Sequence, residues 1–214
     1  MTELSHQEPI ALFSTWLDEA RQLEPNDPEA MALASVGADG MPSLRMVLLK
    51  EYGADGFVFY TNMESRKGVE IINHPQLALL FHWKSLRRQV RIEGVGELVS
   101  ETESDEYFAT RARTSRIGAW ASQQSRPLDS KIALEAAVAK YSLQYALGNI
   151  PRPAYWQGVR LRPIAFEFWM DGAFRLHDRW RFTLKEDEDD TKPANQSGRK
   201  MDNALSWQIT RLYP

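Results

Sequence analysis

The sequence predicts a mainly β protein, a Greek-key β-barrel of antiparallel strands with helices inserted between them and at the periphery. Three observations point there. β-rich runs recur along the chain and are punctuated by Asp39-Gly40, Asp55-Gly56 and Asp171-Gly172, dipeptides suited to hairpin turns. Roughly six to eight such runs occur, in runs of strands rather than in strand–helix alternation. No GxGxxG stands anywhere in the chain, so the doubly wound dinucleotide-binding alternative lacks its signature.

Taken in order, Pro9 to Leu23 places Phe13, Trp16, Leu17 and Ala20 on one face of an amphipathic helix. The turn residues Pro25-Asn26-Asp27-Pro28 end it. Residues 30–36, 42–52 and 56–62 then read as a meander of strands. Residues 65–73 form a short helix stopped by Pro75, and residues 76–83 and 88–100 a further strand pair. Ser100-Glu101-Thr102-Glu103 is a capping box, opening a helix that runs through Arg111. Residues 117–122 make another helical turn, and 129–147 a longer helix ended at Gly148. Strands return over 156–169, 174–184 and 206–212. Residues 185–204 are polar and carry no aromatic side chain, which predicts a flexible hairpin loop within a single domain spanning 1–214. Residues 1–8 are expected to be a short flexible end. There is no internal repeat.

Composition narrows the function. A net charge of -3 gives no global attraction to nucleic acid or an anionic membrane, so a phosphorylated ligand must be held by local clusters of Arg and Lys. The chain has no cysteine, which removes disulfides, thiolate metal sites and thiol nucleophiles together. The four histidines, His6, His74, His82 and His177, are too scattered for metal-ligand spacing, and no catalytic metal is expected. Redox chemistry on this chain would need an organic cofactor. MTELSHQEPIALF does not read as a secretory signal and every apolar stretch is interrupted by polar residues, so a cytoplasmic protein is expected.

Three clusters carry chemistry. The first joins RMVLLK, Arg45 to Lys50, with YTNMESRK, Tyr60 to Lys67. On one continuous strand Arg45 and Lys50 would point to opposite faces. Ser65-Arg66-Lys67 opens a helix, where free N–H groups and the dipole favour an anion and a guanidinium can grip two phosphate oxygens; taken alone, it reads as a solvated basic helix start. The second cluster is Tyr107 and Arg111, four apart on one helix face, with Ser115 just past the helix end. It makes a second phosphate cradle or an exposed polar face. The third is Trp169 with Arg175, Leu176, His177, Asp178 and Arg179, brought together across the Asp171-Gly172 turn. On a strand Arg175, His177 and Arg179 share one face, where two guanidiniums around an imidazole call for an anionic ligand. His177 as a satisfied half-buried histidine and Asp178 as partner of a neighbouring strand are the structural alternatives. Gln89 and Gln124-Ser125 are either ligand contacts or ordinary turn polarity. Trp83, Trp120, Trp156, Trp180 and Trp207 read as core or interface residues.

In this order RMVLLK, FVFYTNMESRK, RRQVRIEG, EYFATRARTSRIGAWAS with Gln124 and Ser125, FEFW, FRLHDR and the terminal RLYP resemble the pyridoxamine 5'-phosphate oxidase family. The resemblance runs from the first helix to the last residue, broken mainly by the polar loop. It implies an FMN-binding split β-barrel and a homodimer. It implies that Arg45, Met46, Val47, Leu48, Leu49, Lys50, Tyr60, Thr61, Arg66 and Lys67 hold FMN, with Gln89, Gln124, Ser125, Trp169 and Arg179 completing that site. Lys50, Tyr107, Arg111 and Ser115 would take the substrate phosphate, while Arg175, Leu176 and His177 lie against the pyridine ring, Arg175 and His177 as catalytic residues. The implied reaction oxidises pyridoxamine or pyridoxine 5'-phosphate with dioxygen to pyridoxal 5'-phosphate and hydrogen peroxide, with ammonia from the amine. A sister flavin oxidase on a phenazine precursor, and a non-catalytic flavin- or haem-binding split barrel, are the competing readings. Relatives often carry an N-terminal Arg-x-x-Tyr-like segment that folds over the substrate. MTELSHQEP holds neither Arg nor Tyr, which leaves the covering of the substrate unassigned.

Overall fold

Hydrophobic spacing and turn chemistry produce five helices and nine strands in a computed structural model that describes residues 8–185 and 206–214. The expected flexible end and polar loop fall almost wholly outside these residues. The chain divides into two compact units, one formed by residues 1–28, 80–93 and 163–214, the other by 29–79 and 94–162. Strands β5 (Gln76–Trp83), β6 (Arg88–Leu98) and β7 (Trp156–Met170) contribute residues to both.

In the first unit, helix α1 (Pro9–Leu23) buries the predicted face: Phe13, Trp16, Leu17 and Ala20 are all in the core. Phe13 meets Phe81 edge-on at 5.0 Å, and Trp16 meets Phe168 at 5.1 Å. Strand β7 pairs with β8 (Asp178–Leu184), setting Phe166 opposite Phe182, and β8 pairs with β9 (Trp207–Leu212). Burying aromatic rings of this size supplies most of the unit's apolar stabilisation. Buried Glu167 is satisfied by Arg91 at 2.5 Å and Arg179 at 2.7 Å.

The second unit holds β1 (Ala30–Val36), β2 (Pro42–Leu48), β3 (Glu51–Gly53), β4 (Gly56–Asn62) and helices α2 (Arg66–Asn73), α3 (Glu101–Thr110), α4 (Arg113–Ala121) and α5 (Lys131–Gln144). Its strands run in the order β2-β1-β5-β6-β7-β4-β3, so β4 and β5, successive in the chain, are not neighbours in the sheet. Ser65 caps α2, Ser100 caps α3 and Ser130 caps α5, each hydroxyl accepting from an N–H three residues on.

Four sequence expectations are corrected here. The strand expected over 42–52 is two strands. Residues up to Leu48 pair with β1, whereas Glu51 onwards pairs with β4, and the Leu49 and Lys50 N–H groups donate to Glu29 and Val58 at 2.9 Å across the change of partner. The face alternation that set Arg45 against Lys50 therefore does not run through. The helix expected at 117–122 begins at Arg113, so Ser115 sits in its first turn rather than beyond a helix end. That turn is polar and shows no apolar period; it is tied down by Arg113 on the Tyr145 carbonyl and by Arg116 on Asn149 at 3.2 Å. The long helix is shorter at both ends than 129–147. Lastly, β8 starts at Asp178, not at residue 174, because Met170 already pairs with Asp178 and leaves seven residues in the connection.

Candidate active site

A cavity of about 660 Å³ opens in the second unit. The end of β2 brings Met46, Val47 and Leu48 to it, the crossover brings Lys50, and β4 brings Tyr60 and Thr61. Lys67 enters from the first turn of α2, Tyr107 and Arg111 from the end of α3, Ser115 from the start of α4, and Gln124 from the segment beyond it. Eleven residues singled out in the sequence thus meet around one space.

Its wall is an aromatic stack. The Tyr60 and Tyr107 rings lie 4.0 Å apart and nearly parallel, and Trp156 continues the stack 5.1 Å from Tyr60. The Arg111 guanidinium sits 4.7 Å from the Trp156 ring centre and 5.6 Å from that of Phe108, held by the negative faces of both rings. Its Nη1 is buried and has no hydrogen-bond partner, and the same is true of the Tyr60 hydroxyl. Burial, reinforced by Glu51 and Glu103, pushes the Tyr60 phenol well above its usual range, so it stays protonated. Two buried donors without protein acceptors, in a roomy polar cavity, fit a ligand that is anionic or carries acceptors.

Beside them, the Lys67 ammonium donates to Gln124 Oε1 at 2.8 Å, Thr61 Oγ1 at 3.2 Å and Ser65 Oγ at 3.3 Å. Burial and then the nearby Arg45 charge lower its pKa, against an opposing pull from Glu70. Gln124 also lines a second cavity of about 570 Å³, together with Arg66, Ser125 and Glu70. Arg45 and Leu49 line neither cavity. Leu49 is buried, and Arg45 turns its guanidinium to the Leu33 carbonyl at 3.2 Å, the Ser35 and Ser43 hydroxyls and the Glu70 carboxylate at 3.0 Å.

Glu70 is the electrostatic centre of this corner. Burial would raise its carboxyl, but hydrogen bonds from Ser35, Ser43, Arg66 and Arg45 outweigh that and hold it down at about 2. A carboxyl depressed on folding stabilises the protein fully above the ordinary carboxylate range, and that contribution is lost as the pH falls towards the folded-state value. Denaturant melts of wild type and Glu70→Gln are therefore expected to diverge most near neutrality and converge as the pH drops from about 4.5 to about 2. A gap independent of pH would rule out the ionised carboxylate as its source.

The remaining candidates belong to the first unit. Gln89 is half-buried on β6, and the Trp169 and His177 rings lie 4.6 Å apart. Here the expected strand face of Arg175, His177 and Arg179 is corrected. Ala173–Arg175 is a 3-10 turn, Leu176 and His177 are irregular, and only Arg179 is on β8. Phe174 and Arg175 both take left-handed backbone, at φ 57° and 64°, a conformation that costs about 1–2 kcal/mol for each non-glycine residue. Gly172 permits the tight return, since a Cβ there would sit 2.0 Å from the Leu176 carbonyl oxygen. His177 Nδ1 lies 3.3 Å from the Gly172 N–H and 3.1 Å from an Asp171 carboxylate oxygen. Arg179 is bound to Glu167 and, at 3.0 Å, to the Tyr213 carbonyl. Asp178 pairs with Arg211 of β9 at 2.9 Å, the neighbouring-strand role weighed from the sequence.

This geometry can be set beside known proteins. Residues 17–145 match the family model described as pyridoxamine 5'-phosphate oxidase, and residues 156–214 match the pyridoxine 5'-phosphate oxidase C-terminal dimerisation region. The chain belongs to the pyridoxamine 5'-phosphate oxidase family. A pyridoxine/pyridoxamine 5'-phosphate oxidase of Rhizobium etli is 56% identical to it, over 97% of this chain and 93% of that one. Its counterpart in Maricaulis maris is 55% identical over 97% and 86%. Among solved structures, PhzG from Burkholderia lata, in complex with tetrahydrophenazine-1-carboxylic acid, superposes with a TM-score of 0.81 at 30% identity, covering 100% of this chain and 95% of that one. A pyridoxamine 5'-phosphate oxidase-related, FMN binding protein of Nostoc punctiforme shares the fold at a TM-score of 0.70 and 16% identity, over 97% and 99%. The fold is the antiparallel split barrel with helices that the sequence predicted, and this member of the family is an oxidoreductase.

Sequence reasoning missed several residues of the family member's cavity. Trp156, read as core or interface, is buried yet lines the cavity and carries Arg111. Asn62, Ala112, Gly118, Ala119 and Ser122 also line it. Ser35, Ser43 and Glu70 left one usable trace, the i, i+4 spacing of Arg66 and Glu70 on a helix. Among the described residues, no helix is long and apolar enough to cross a membrane and no His, Asp and Glu cluster is arranged to hold a metal ion.

Proposed function

We propose that this chain oxidises pyridoxamine 5'-phosphate and pyridoxine 5'-phosphate to pyridoxal 5'-phosphate, using FMN and dioxygen. The amine, water and dioxygen give the aldehyde, ammonia and hydrogen peroxide; the alcohol and dioxygen give the aldehyde and hydrogen peroxide. The observation that carries this reading is the pair of buried, partnerless donors, Arg111 Nη1 and Tyr60 Oη, in a cavity that Lys50 and Lys67 also line. Donors of this kind suit a ligand rich in phosphate and ring acceptors, so the residues present fit a flavin mononucleotide and a phosphorylated substrate. FMN supplies the two-electron acceptor, a capacity that no side chain of the protein has.

The protein's part is placement and charge. Residues 46–48, Lys50, Tyr60, Thr61, Arg66, Lys67, Gln124 and Ser125 are assigned to direct contact with FMN, with Arg45 and Leu49 standing behind them; Gln89, Trp169 and Arg179 are assigned to FMN as well. Lys50, Tyr107, Arg111 and Ser115 are assigned to the substrate phosphate. Arg175, Leu176 and His177 are assigned to the pyridine ring, with Arg175 and His177 steering the proton at the reacting carbon. The match of residues 156–214 to a dimerisation region supports a homodimer.

The purified protein is expected to be yellow and to release hydrogen peroxide from pyridoxine 5'-phosphate in air. Unphosphorylated pyridoxine is expected to react at least about a hundredfold less efficiently, the value of a charge-assisted phosphate grip. A yellow protein that is inert to both phosphorylated vitamers, yet oxidises a phenazine precursor, would overturn the vitamin reading in favour of the one suggested by the Burkholderia lata structure.

A further inference from the structure

We propose that Glu70 is a positioning residue for the cofactor phosphate: it pins Arg66, and steadies Arg45 behind it, so that Arg66 presents both terminal nitrogens outward. The inference rests on the FMN reading above. Glu70 is 5% exposed, and both of its carboxylate oxygens accept hydrogen bonds from this corner of the fold. Oε2 accepts from Ser35 and Ser43 at 2.6 Å each and from Arg45 Nη2 at 3.0 Å, while Oε1 accepts from Arg66 Nε at 2.8 Å. Ser35 and Ser43 face each other in the β1–β2 register, so the helix carboxylate is locked to a hairpin at two points.

The two arginines are held differently. Arg45 is largely enclosed and spends its terminal nitrogens on Leu33, Ser35, Ser43 and Glu70, which leaves them committed within the protein. Arg66 is 63% exposed along its side chain and is fixed through Nε. A guanidinium tethered at Nε keeps its two Nη groups free in a plane, the geometry that binds two oxygens of one phosphate. Without the tether a long exposed side chain would have to be ordered anew at each binding event.

Charge supports the same role. Within this network Arg45 and Arg66 outnumber the one carboxylate they share, so a positive charge remains at the exposed Arg66 tip, on a cavity wall that Asp39, Glu64 and Arg126 also line. As a source of stability alone the network would be a poor device, since a buried ion pair is often no better than apolar residues of equal volume.

The test is titration of the full-length apoprotein with FMN and, separately, with riboflavin, which lacks the phosphate, following flavin fluorescence. Glu70→Ala is expected to raise the FMN Kd roughly tenfold and leave the riboflavin Kd unchanged, so the preference for FMN collapses. In an Arg66→Ala background, Glu70→Ala is expected to add no more than about threefold, because it acts through Arg66. Glu70→Gln, which keeps an acceptor for Nε, is expected to recover most of the affinity; if the alanine variant does not fold, Glu70→Leu, which fills the space without an acceptor, takes its place with the same roughly tenfold loss expected. Equal losses for FMN and riboflavin, or effects of Glu70 and Arg66 that multiply in full, would overturn the proposal while the cofactor reading stands. A wild-type protein that takes up no FMN would overturn both.

Discussion

Replacing Arg111 with alanine is expected to raise the KM for pyridoxine 5'-phosphate about a hundredfold and to leave kcat within a few-fold of wild type. The guanidinium is half-buried, its Nη1 has no protein partner, and it lines the main cavity beside Lys50, Tyr107 and Ser115. A charge-assisted hydrogen bond to a phosphate in such a place is worth about 1.5–3 kcal/mol, which converts to one or two orders of magnitude in affinity. Loss of the planar group over Trp156 adds to the effect by loosening the stack. Arg111→Lys keeps the charge but not the plane, and should recover only part of the loss. Steady-state kinetics with and without the phosphate on the substrate decide it: an unchanged KM would move the substrate phosphate away from Arg111.

The second large effect is expected at Gly68, and it is a backbone effect. A Cβ on this residue would stand 2.4 Å from both the Cα and the carbonyl oxygen of Met63, and neither can move as the end of a side chain could. Gly68→Ala must therefore push the turn at 63–65 away from the first turn of α2, carrying Arg66 and Lys67 with it. Overpacking of this kind costs up to about 3 kcal/mol, which for a chain of this size lowers Tm by about 6–12 °C. FMN affinity should fall alongside. A melting temperature within about 2 °C of wild type would show that the turn yields without cost.

Most of the fold was legible because its signals are local. The Phe13, Trp16, Leu17 and Ala20 spacing, the Ser100 cap and the hairpin turns are each decided within a few residues. What escaped depends on contacts distant in sequence. Nothing near Leu49 announces that the chain changes partner from β1 to β4, and nothing near Phe174 announces two left-handed residues in a row. The site divides in the same way. Spacing alone put basic residues at a helix start and Tyr107 with Arg111 on one helix face; that Lys67, Tyr107 and Arg111 meet at one cavity depends on the assembled fold. Trp156 left no such trace, since an indole reads as core until the fold sets Arg111 over it. Arg45 shows the opposite failing: its charge was legible, but its commitment to Ser35, Ser43 and Glu70 required three elements to be assembled.

The Tyr60–Tyr107–Trp156 stack has an optical consequence. Three chromophores lie nearly parallel at ring separations of 4.0 to 6.1 Å, close enough for excitation of either phenol to pass to the indole. The indole also lies under a cationic guanidinium in the wall of the cavity. Any guest that takes hold of Arg111 or inserts beside Tyr60 changes the field and the quenchers around that emitter. The site carries its own spectroscopic gauge, readable without a label.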